Sequence, residues 1–285
     1  MTGLGAVVVS YNARGHLLDC LRSLRAEGVS QVVVVDNASS DGSAEAVREF
    51  DPEVVVVETG ANLGFGTAAN RGVELVAGDY VLILNPDAVV EPGATKVLAE
   101  ALDRDATLAV VGPRVENPDG TLYPSARRFP DLWVAAGHAF LGVVRPENRF
   151  TREYRMIDAD RSRPHFVDWV SGTCMLVRRS AFAGLGGFDE AYFMYVEDVD
   201  LCWRAWRAGW RVGYEPGARV VHAVGGSSRH APYRMIVAHH RSLLRFAAKT
   251  ATGRRRLLLP AVAAALALRA AFSCAQRAVT GHVRN

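Results

Sequence analysis

The chain has 285 residues, 49% of them hydrophobic and 22% charged, with a net charge of +3. That length and composition suit a folded protein with a sizeable core and exclude a disordered or low-complexity chain. The charge is divided unevenly: the 70 residues after Glu215 hold 12 Lys or Arg and no acid, which leaves −9 on the first 215.

A basic end of this kind seeks an anionic surface. The cysteines, Cys20, Cys174, Cys202 and Cys274, lack the spacing of a metal site or a disulfide framework, which fits a reducing compartment. No basic segment precedes Ala6 to Val9, so that run reads as a strand rather than a signal peptide. No uninterrupted apolar stretch reaches the roughly 20 residues a spanning helix needs.

The first hundred residues alternate strand and helix. Leu4 to Ser10 predicts a buried strand, and His16 to Leu24 a helix with Leu17, Leu21 and Leu24 on one face. Gln31 to Asp36 is a second strand, followed by the capped start Ser39-Ser40-Asp41-Gly42 and a helix over Ala44 to Phe50. Val54 to Glu58 predicts a strand, Thr67 to Val76 a helix and Tyr80 to Leu84 a fourth strand, with a helix over Pro92 to Leu102. Repeated β-α-β units with continuous apolar strands imply an α/β fold whose mostly parallel sheet is covered by helices on both faces. From Pro113 to Pro164 the periodicity weakens, with one helix expected around Leu132 to Leu141. Phe166 to Arg178 contains another strand, Ala191 to Ala208 is mostly helical, and Val212 to Tyr214 and Ala218 to His222 are short strands. Helices over Met235 to Lys249 and Arg254 to Thr280 complete the chain.

Polar residues collect where these strands end. The fourth strand runs into Asn85-Pro86-Asp87; Pro86 cannot donate to a sheet ladder, so Asp87 is left at the C-terminal lip. Ligands of open α/β sheets gather there, although Asn-Pro-Asp is also ordinary turn chemistry. Asp36 ends the second strand, where a carboxylate accepts hydrogen bonds from a ribose or a base, or caps the following segment. A dinucleotide-binding dehydrogenase also places an acid there. It would need a glycine-rich turn after the first strand, however, and Ser10 to Gly15 reads SYNARG. Asn62 to Gly72 reads NLGFGTAANRG. Gly64, Gly66 and Gly72 permit close backbone approach, and Asn62, Asn70 and Arg71 offer polar contacts suited to a nucleotide diphosphate or its sugar. A glycine-lined packing turn is the alternative.

Mg²⁺ and Mn²⁺ accept carboxylate and phosphate oxygens, and Mn²⁺ also accepts imidazole, so Asp87 needs partners. His222, at a strand end before Gly225-Gly226-Ser227-Ser228, is one candidate. Glu197, Asp198 and Asp200 open a helix; acids are favoured at a helix N-terminus, but one of three among aromatics can also serve as general base toward a hydroxyl. Trp169, Ser171, Gly172 and Thr173 form either an acceptor wall or a core strand.

Together VVVSYN (Val7 to Asn12), VVVVDNASSDGS, NLGFGTAANRG, LILNPDA (Leu82 to Ala88), WVSGTCMLVRR, GFDEAYFMYVEDVDLCWR and YEPGARVVHAVGGSS resemble the family 2 glycosyltransferases of the GT-A fold, over roughly Leu4 to Ser228. Within that family the chain is most similar to bacterial rhamnosyltransferases acting on polyprenyl-diphosphate-GlcNAc in cell-wall linker synthesis. The resemblance implies a catalytic domain over 1–230, a basic helical extension over 231–285, and inverting transfer from a nucleotide sugar, dTDP-rhamnose, to a hydroxyl of a lipid-linked sugar. A UDP-hexose or UDP-galactofuranose donor, or a nucleotide-binding relative without turnover, are the rival readings. By resemblance, Asp36 contacts the base or ribose beside Tyr11, and Ser10, Asn12, Asn37, Asn62, Gly64, Asn70, Arg71, Asn85 and Pro86 surround the nucleotide sugar. Asp87 and His222 hold Mn²⁺ or Mg²⁺, Asp198 is the base, and Trp169, Ser171, Gly172, Thr173 and Glu197 face the acceptor. Asn85 stands where many relatives have an acid, which removes one anionic metal ligand.

Arg254-Arg255-Arg256 precedes twelve residues, Leu257 to Leu268, that are apolar and interrupted only by Pro260. Twelve are too few to span, so a helix lying in the membrane interface is expected, which places the chain in the cytoplasm at the inner face of the cell membrane. Packing on the domain, or on a second copy in a homo-oligomer, is the alternative. The basic stretch lacks a nucleic-acid recognition motif, and nucleic acid is not an expected partner.

Overall fold

The computed structural model describes residues 3–129, 160–223 and 232–280, with 148, 152 and 156 as isolated positions. Four parallel strands form one half of the sheet: β1 (Leu4–Ser10), β2 (Gln31–Asp36), β3 (Val55–Glu58) and β4 (Tyr80–Leu84). Their connections are α1 (Arg14–Ala26), α2 (Ser43–Phe50) and α3 (Phe65–Val73). A short β5 (Ala88–Val90), α4 (Ala94–Arg104) and a long β6 (Leu108–Glu116) follow. Beyond them lie β7 (Leu122–Tyr123), β8 (Ala126–Arg127), β9 (His165–Phe166), β10 (Trp169–Val170) and β11 (Cys174–Arg178). Then come α5 (Arg179–Gly184), α6 (Glu197–Arg207) and the twelve-residue β12 (Arg211–His222). The main sheet runs β3-β2-β1-β4-β11-β6-β12-β5. It is mixed, because β11 enters antiparallel between β4 and β6, and β5 pairs antiparallel with the end of β12.

The period-two alternation of the strands divides the core into two layers. Val7, Val9, Val33, Val35, Val81 and Ile83 face α3 and α6 in one cluster, whereas Ala6, Val8, Val32, Val34, Leu82 and Leu84 face α1 and α4 in the other. Both faces are covered, so the strands are apolar throughout, as the sequence implied.

The boundaries differ from expectation where tertiary contacts override local pattern. The two expected strands at 212–214 and 218–222 are one strand, irregular between Glu215 and Arg219 where Pro216-Gly217 interrupts the ladder. The expected helix over 191–208 begins only at Glu197, because Tyr195 and Val196 adopt left-handed φ of 64° and 70°. α3 starts two residues early, at Phe65, and ends at Val73. The helix expected around Leu132 to Leu141 and the Gly225 to Ser228 loop lie outside the described residues.

The chain ends in α7 (Pro232–Thr250), a 3₁₀ turn at Gly253–Leu258 and α8 (Leu259–Thr280), which packs on α7. Here one expectation is corrected. The twelve-residue apolar count stopped at Arg269, but the helix continues beyond it. By length and composition alone the helical segment Gly253–Val279 is long and apolar enough to cross a membrane, its most apolar 18-residue stretch having a mean hydropathy of 1.9.

Candidate active site

The parallel register sets Ser10 beside Asp36, so the C-terminal ends of β1 and β2 open at the same level. Asp36 is buried; its Oδ2 accepts from the Ser39 amide at 3.0 Å, and its Oδ1 has no partner among the described residues. A buried carboxylate oxygen without a donor is costly unless a ligand supplies one. Ser10 is likewise buried with an unpartnered hydroxyl, and half-buried Tyr11 follows it at the lip. Asn12, at φ 48°, donates from its amide to Ser39 Oγ and accepts from the Ser40 amide, which clamps the β1 and β2 loops together. Ser39 and Ser40 are parts of this clamp that the sequence showed only as a helix start.

Several expected nucleotide contacts are engaged in the scaffold. Asn37 Nδ2 donates to Asn62 Oδ1 and to the Gly64 carbonyl, and its Oδ1 accepts from the Leu63 amide. Asn70 links α3 to the 188–190 turn by donating to the Phe188 carbonyl and Glu190 and accepting from the Phe188 amide. Arg71 lies on the exposed side of α3. Gly64, at φ 87°, sits where a Cβ would run into the Phe193 carbonyl, so the NLGFG turn lies directly against the segment leading to α6.

Next along the sheet is the β4 turn. The Asn85 amide donates to the Thr173 carbonyl, and the Asn85 carbonyl accepts from Ala88 across Pro86, closing the turn. Asp87 is buried, and its Oδ1 lies 3.0 Å from His222 Nε2. The β5–β12 register, which pairs Ala88 with His222, brings them together. His222 packs edge-on against Tyr123, a neighbour that sequence reasoning missed, and its Nδ1 has no partner among the described residues. Among those residues no group of three or more His, Cys, Asp or Glu is arranged for a metal. A carboxylate and an imidazole with unused lone pairs fit Mn²⁺ or Mg²⁺ provided that donor phosphates supply further oxygens.

The residues expected on the acceptor side lie on β10, on the segment leading to β11 and at the start of α6. Trp169 is buried, anchored by its indole N–H to the Arg128 carbonyl, with the Arg127 guanidinium over its ring. Ser171 and Thr173 hydroxyls hydrogen-bond each other at 2.9 Å. The Gly172 amide donates to Asp198 Oδ2 at 2.9 Å, while Oδ1 accepts from Val199. One short segment thus fixes both Asn85 and Asp198. Asp198 is half-buried and Glu197 buried, with Glu197 Oε2 unpartnered among the described residues. Burial raises the Asp198 carboxyl, against two backbone N–H donors and the charge of Arg127. Burial, then the charge of Asp198, raises Glu197 well above the usual carboxylate range. Arg127 is a missed residue; it lies in the aperiodic middle, where no pattern singled it out.

A mixed α/β sheet with Asp36 and the Asp87–His222 pair at its strand ends, and Asp198 in the first turn of the neighbouring α6, is the arrangement of the GT-A glycosyltransferase fold. The Glycosyl transferase family 2 model matches residues 6–186, and the Glycosyl transferase family group 2 model matches 134–272. The chain belongs to glycosyltransferase family 2. It is 41% identical over 264 residues to N-acetylglucosaminyl-diphospho-decaprenol L-rhamnosyltransferase of Mycobacterium tuberculosis, covering 88% of this chain and 85% of that one. It is 27% identical to rhamnosyltransferase WbbL of Escherichia coli, over 85% and 92% of the two chains. Among solved structures, a mannosyltransferase from Pyrobaculum calidifontis with GDP-Man and Mn²⁺ superposes with a TM-score of 0.60 at 20% identity, covering 99% of this chain and 76% of that one. TarS of S. aureus with UDP-GlcNAc gives 0.58 at 16% identity, over 94% and 72%.

Proposed function

We propose that this chain transfers L-rhamnose from dTDP-rhamnose, with inversion, to a hydroxyl of polyprenyl-diphosphate-GlcNAc at the inner face of the cell membrane. The observation that carries the reading is the 41% identity, across most of both chains, with a rhamnosyltransferase named for a GlcNAc-diphospho-decaprenol acceptor.

Each site residue has a chemical task in this reaction. Asp36 accepts hydrogen bonds from the nucleoside, satisfying its free Oδ1. Asp87 and His222 hold a divalent cation, Mn²⁺ or Mg²⁺, which when bound neutralises the departing nucleoside diphosphate. Asp198, oriented by the Gly172 and Val199 amides, takes the proton from the acceptor hydroxyl as the new glycosidic bond forms. Its raised affinity for a proton makes it a stronger base than an ordinary Asp carboxylate. Trp169 is buried in the core with Arg127 over its ring, so its part is to hold the segment that carries Gly172 against Asp198 rather than to face the acceptor.

The C-terminal hairpin supports the membrane part of the reading. Leu257, Leu268 and Val279 are 80%, 72% and 86% exposed, and Phe272 lies on the same side. Each such side chain gains about 1.5–3 kcal/mol when it leaves water. Arg269, midway along α8, would cost about 2.5–3.5 kcal/mol at a bilayer centre, which favours α8 lying in the interface over spanning.

The test is a panel of nucleotide sugars offered with polyprenyl-diphosphate-GlcNAc. Turnover with dTDP-rhamnose alone supports the proposal, and preference for a UDP-hexose or UDP-galactofuranose overturns the donor assignment.

A further inference from the structure

α7 does more than join α8 to the sheet: it grips the segment that presents Asp198 at two points. Tyr195 and Val196, immediately before Glu197, both have left-handed backbone, which a β-branched or bulky residue rarely adopts and which persists only where neighbours hold it. On one side of this turn the Phe193 carbonyl accepts from the Phe65 amide at 3.2 Å. On the other, α7 supplies the contacts. Buried Ser242 donates its hydroxyl to the Met194 carbonyl at 2.9 Å, the His239 ring lies 5.2 Å from that of Tyr195, and Arg234 stands over Phe193.

The second grip is on α6 itself. Asp200 is fully buried and receives Arg204 from its own helix and Lys249 from α7, the latter at 2.7 Å. Lys249 also reaches Asp189 at 2.8 Å, where Arg245 joins it, so one ammonium ties both ends of the 189–200 segment to α7. Phe246 packs edge-on against Trp203 one turn further along α6. None of these α7 contacts is to Asp198; they act through Met194 and Asp200.

We propose that Ser242 and Lys249 are positioning residues for Asp198, so that the C-terminal extension is part of the catalytic machinery. This rests on the reading of Asp198 as the base. Ser242 fixes the strained turn and Lys249 fixes the first turn of α6, and together they determine where the carboxylate meets the acceptor hydroxyl. Lys249 also offsets the charge of Asp200, which would otherwise oppose the field of Arg127 at the base.

The experiment uses the full chain with Ser242→Ala, Lys249→Met, Lys249→Arg and Asp198→Asn, reading kcat, donor KM, the pH dependence of kcat and nucleotide binding by calorimetry. Misplacement of the base by about 1 Å costs up to about 10²-fold in rate. Ser242→Ala and Lys249→Met are therefore expected to lower kcat about ten- to a hundredfold while donor KM and nucleotide binding stay within about twofold. Lys249→Met should also move the acidic limb of kcat to higher pH, because Asp200, keeping Arg204 but losing the Lys249 charge, raises a neighbouring carboxyl, and Lys249→Arg should restore most of the rate. Wild-type kcat in Ser242→Ala and Lys249→Met, with Asp198→Asn inactive, overturns the positioning role and leaves the base standing. Loss of nucleotide binding in parallel with kcat assigns α7 a purely structural role and also overturns the proposal. Full activity in Asp198→Asn removes the base reading instead.

Discussion

Asp87 Oδ1 and His222 Nε2 meet at 3.0 Å, although one ends the turn after β4 and the other ends β12. The antiparallel pairing of β5 with β12 creates the contact, placing Ala88 opposite His222. Both side chains are buried, so a cation held here would find one carboxylate and one imidazole and would need further oxygens from the donor diphosphate. Asp87→Ala and His222→Ala are each expected to weaken Mn²⁺-dependent nucleotide binding about 10- to 100-fold, with binding in chelator changed far less. Unchanged Mn²⁺ titrations by calorimetry remove the pair from the metal site.

Asp198 differs from Asp87 in what its surroundings ask of it. The Gly172 and Val199 amides orient it, and burial raises its affinity for a proton. With Asp198 as the proposed base, which must be unprotonated to act, activity is expected to be lost as pH falls through a pKa above the ordinary Asp value of about 3.9. Asp198→Asn should reduce kcat by about 10²–10⁴-fold while nucleotide affinity is retained. A pH profile whose acidic limb falls below the ordinary Asp value would contradict the assignment.

The strands and their polar ends were legible because each signal is local. Apolar runs of strand length stopping at Asp36 or at Asn85-Pro86-Asp87 carry their own geometry, and the parallel register then places Ser10 next to Asp36. What the sequence concealed is settled by contacts between distant segments. Left-handed Tyr195 and Val196 delayed α6, because α3 and α7 hold a turn that propensity would have made helical. The scaffold roles of Asn37, Asn62 and Asn70 were invisible for the same reason: an amide reads identically whether it faces a ligand or the next loop. Arg127 had no periodic context, and only the β8–β10 pairing sets it over Trp169.

Gly64 gives a test of the close approach between the NLGFG turn and the base segment. Its φ of 87° lies in a region essentially reserved for glycine, and a Cβ would meet the Phe193 carbonyl backbone. Gly64→Ala should lower stability by more than the about 1–3 kcal/mol of backbone strain alone, and should displace the 193–196 turn. Denaturant melts together with the kcat of the folded fraction measure both effects. A stable variant with unaltered kcat would show that this approach is dispensable.

The Glu197 carboxyl makes stability depend on pH in a direction that can be worked out. Burial, with the charge of Asp198, holds its pKa well above the usual range in the folded chain, whereas an unfolded Glu loses its proton near about 4.3. Above that pH the folded state binds the extra proton, so stability falls as pH rises until the folded group titrates. Gln is neutral throughout. Glu197→Gln should therefore match the native chain near pH 4 and become progressively more stable than it toward neutral pH, as read by Tm across the range. A constant difference at all pH values would mean that the carboxyl does not titrate in this environment.

The exposed face of α8 decides between docking and packing. Leu268, Phe272 and Val279 are exposed while the opposite side of the helix rests on α7, and exposed Leu257 lies with Arg254-Arg255-Arg256 in the 3₁₀ turn before it. Near an anionic leaflet each basic residue adds about 1 kcal/mol, so charge and apolar area act together. Leu268→Glu with Phe272→Glu removes apolar area, and reversing Arg254–Arg256 to Glu removes the attraction; each should reduce sedimentation with anionic liposomes, the second more strongly at low salt. The Glu variants of Leu268 and Phe272 should keep kcat toward a detergent-dispersed acceptor, because neither side chain approaches the strand-end cleft. If instead liposome binding persists and the protein changes from dimer to monomer in light scattering, the face is an interface between two copies of the chain.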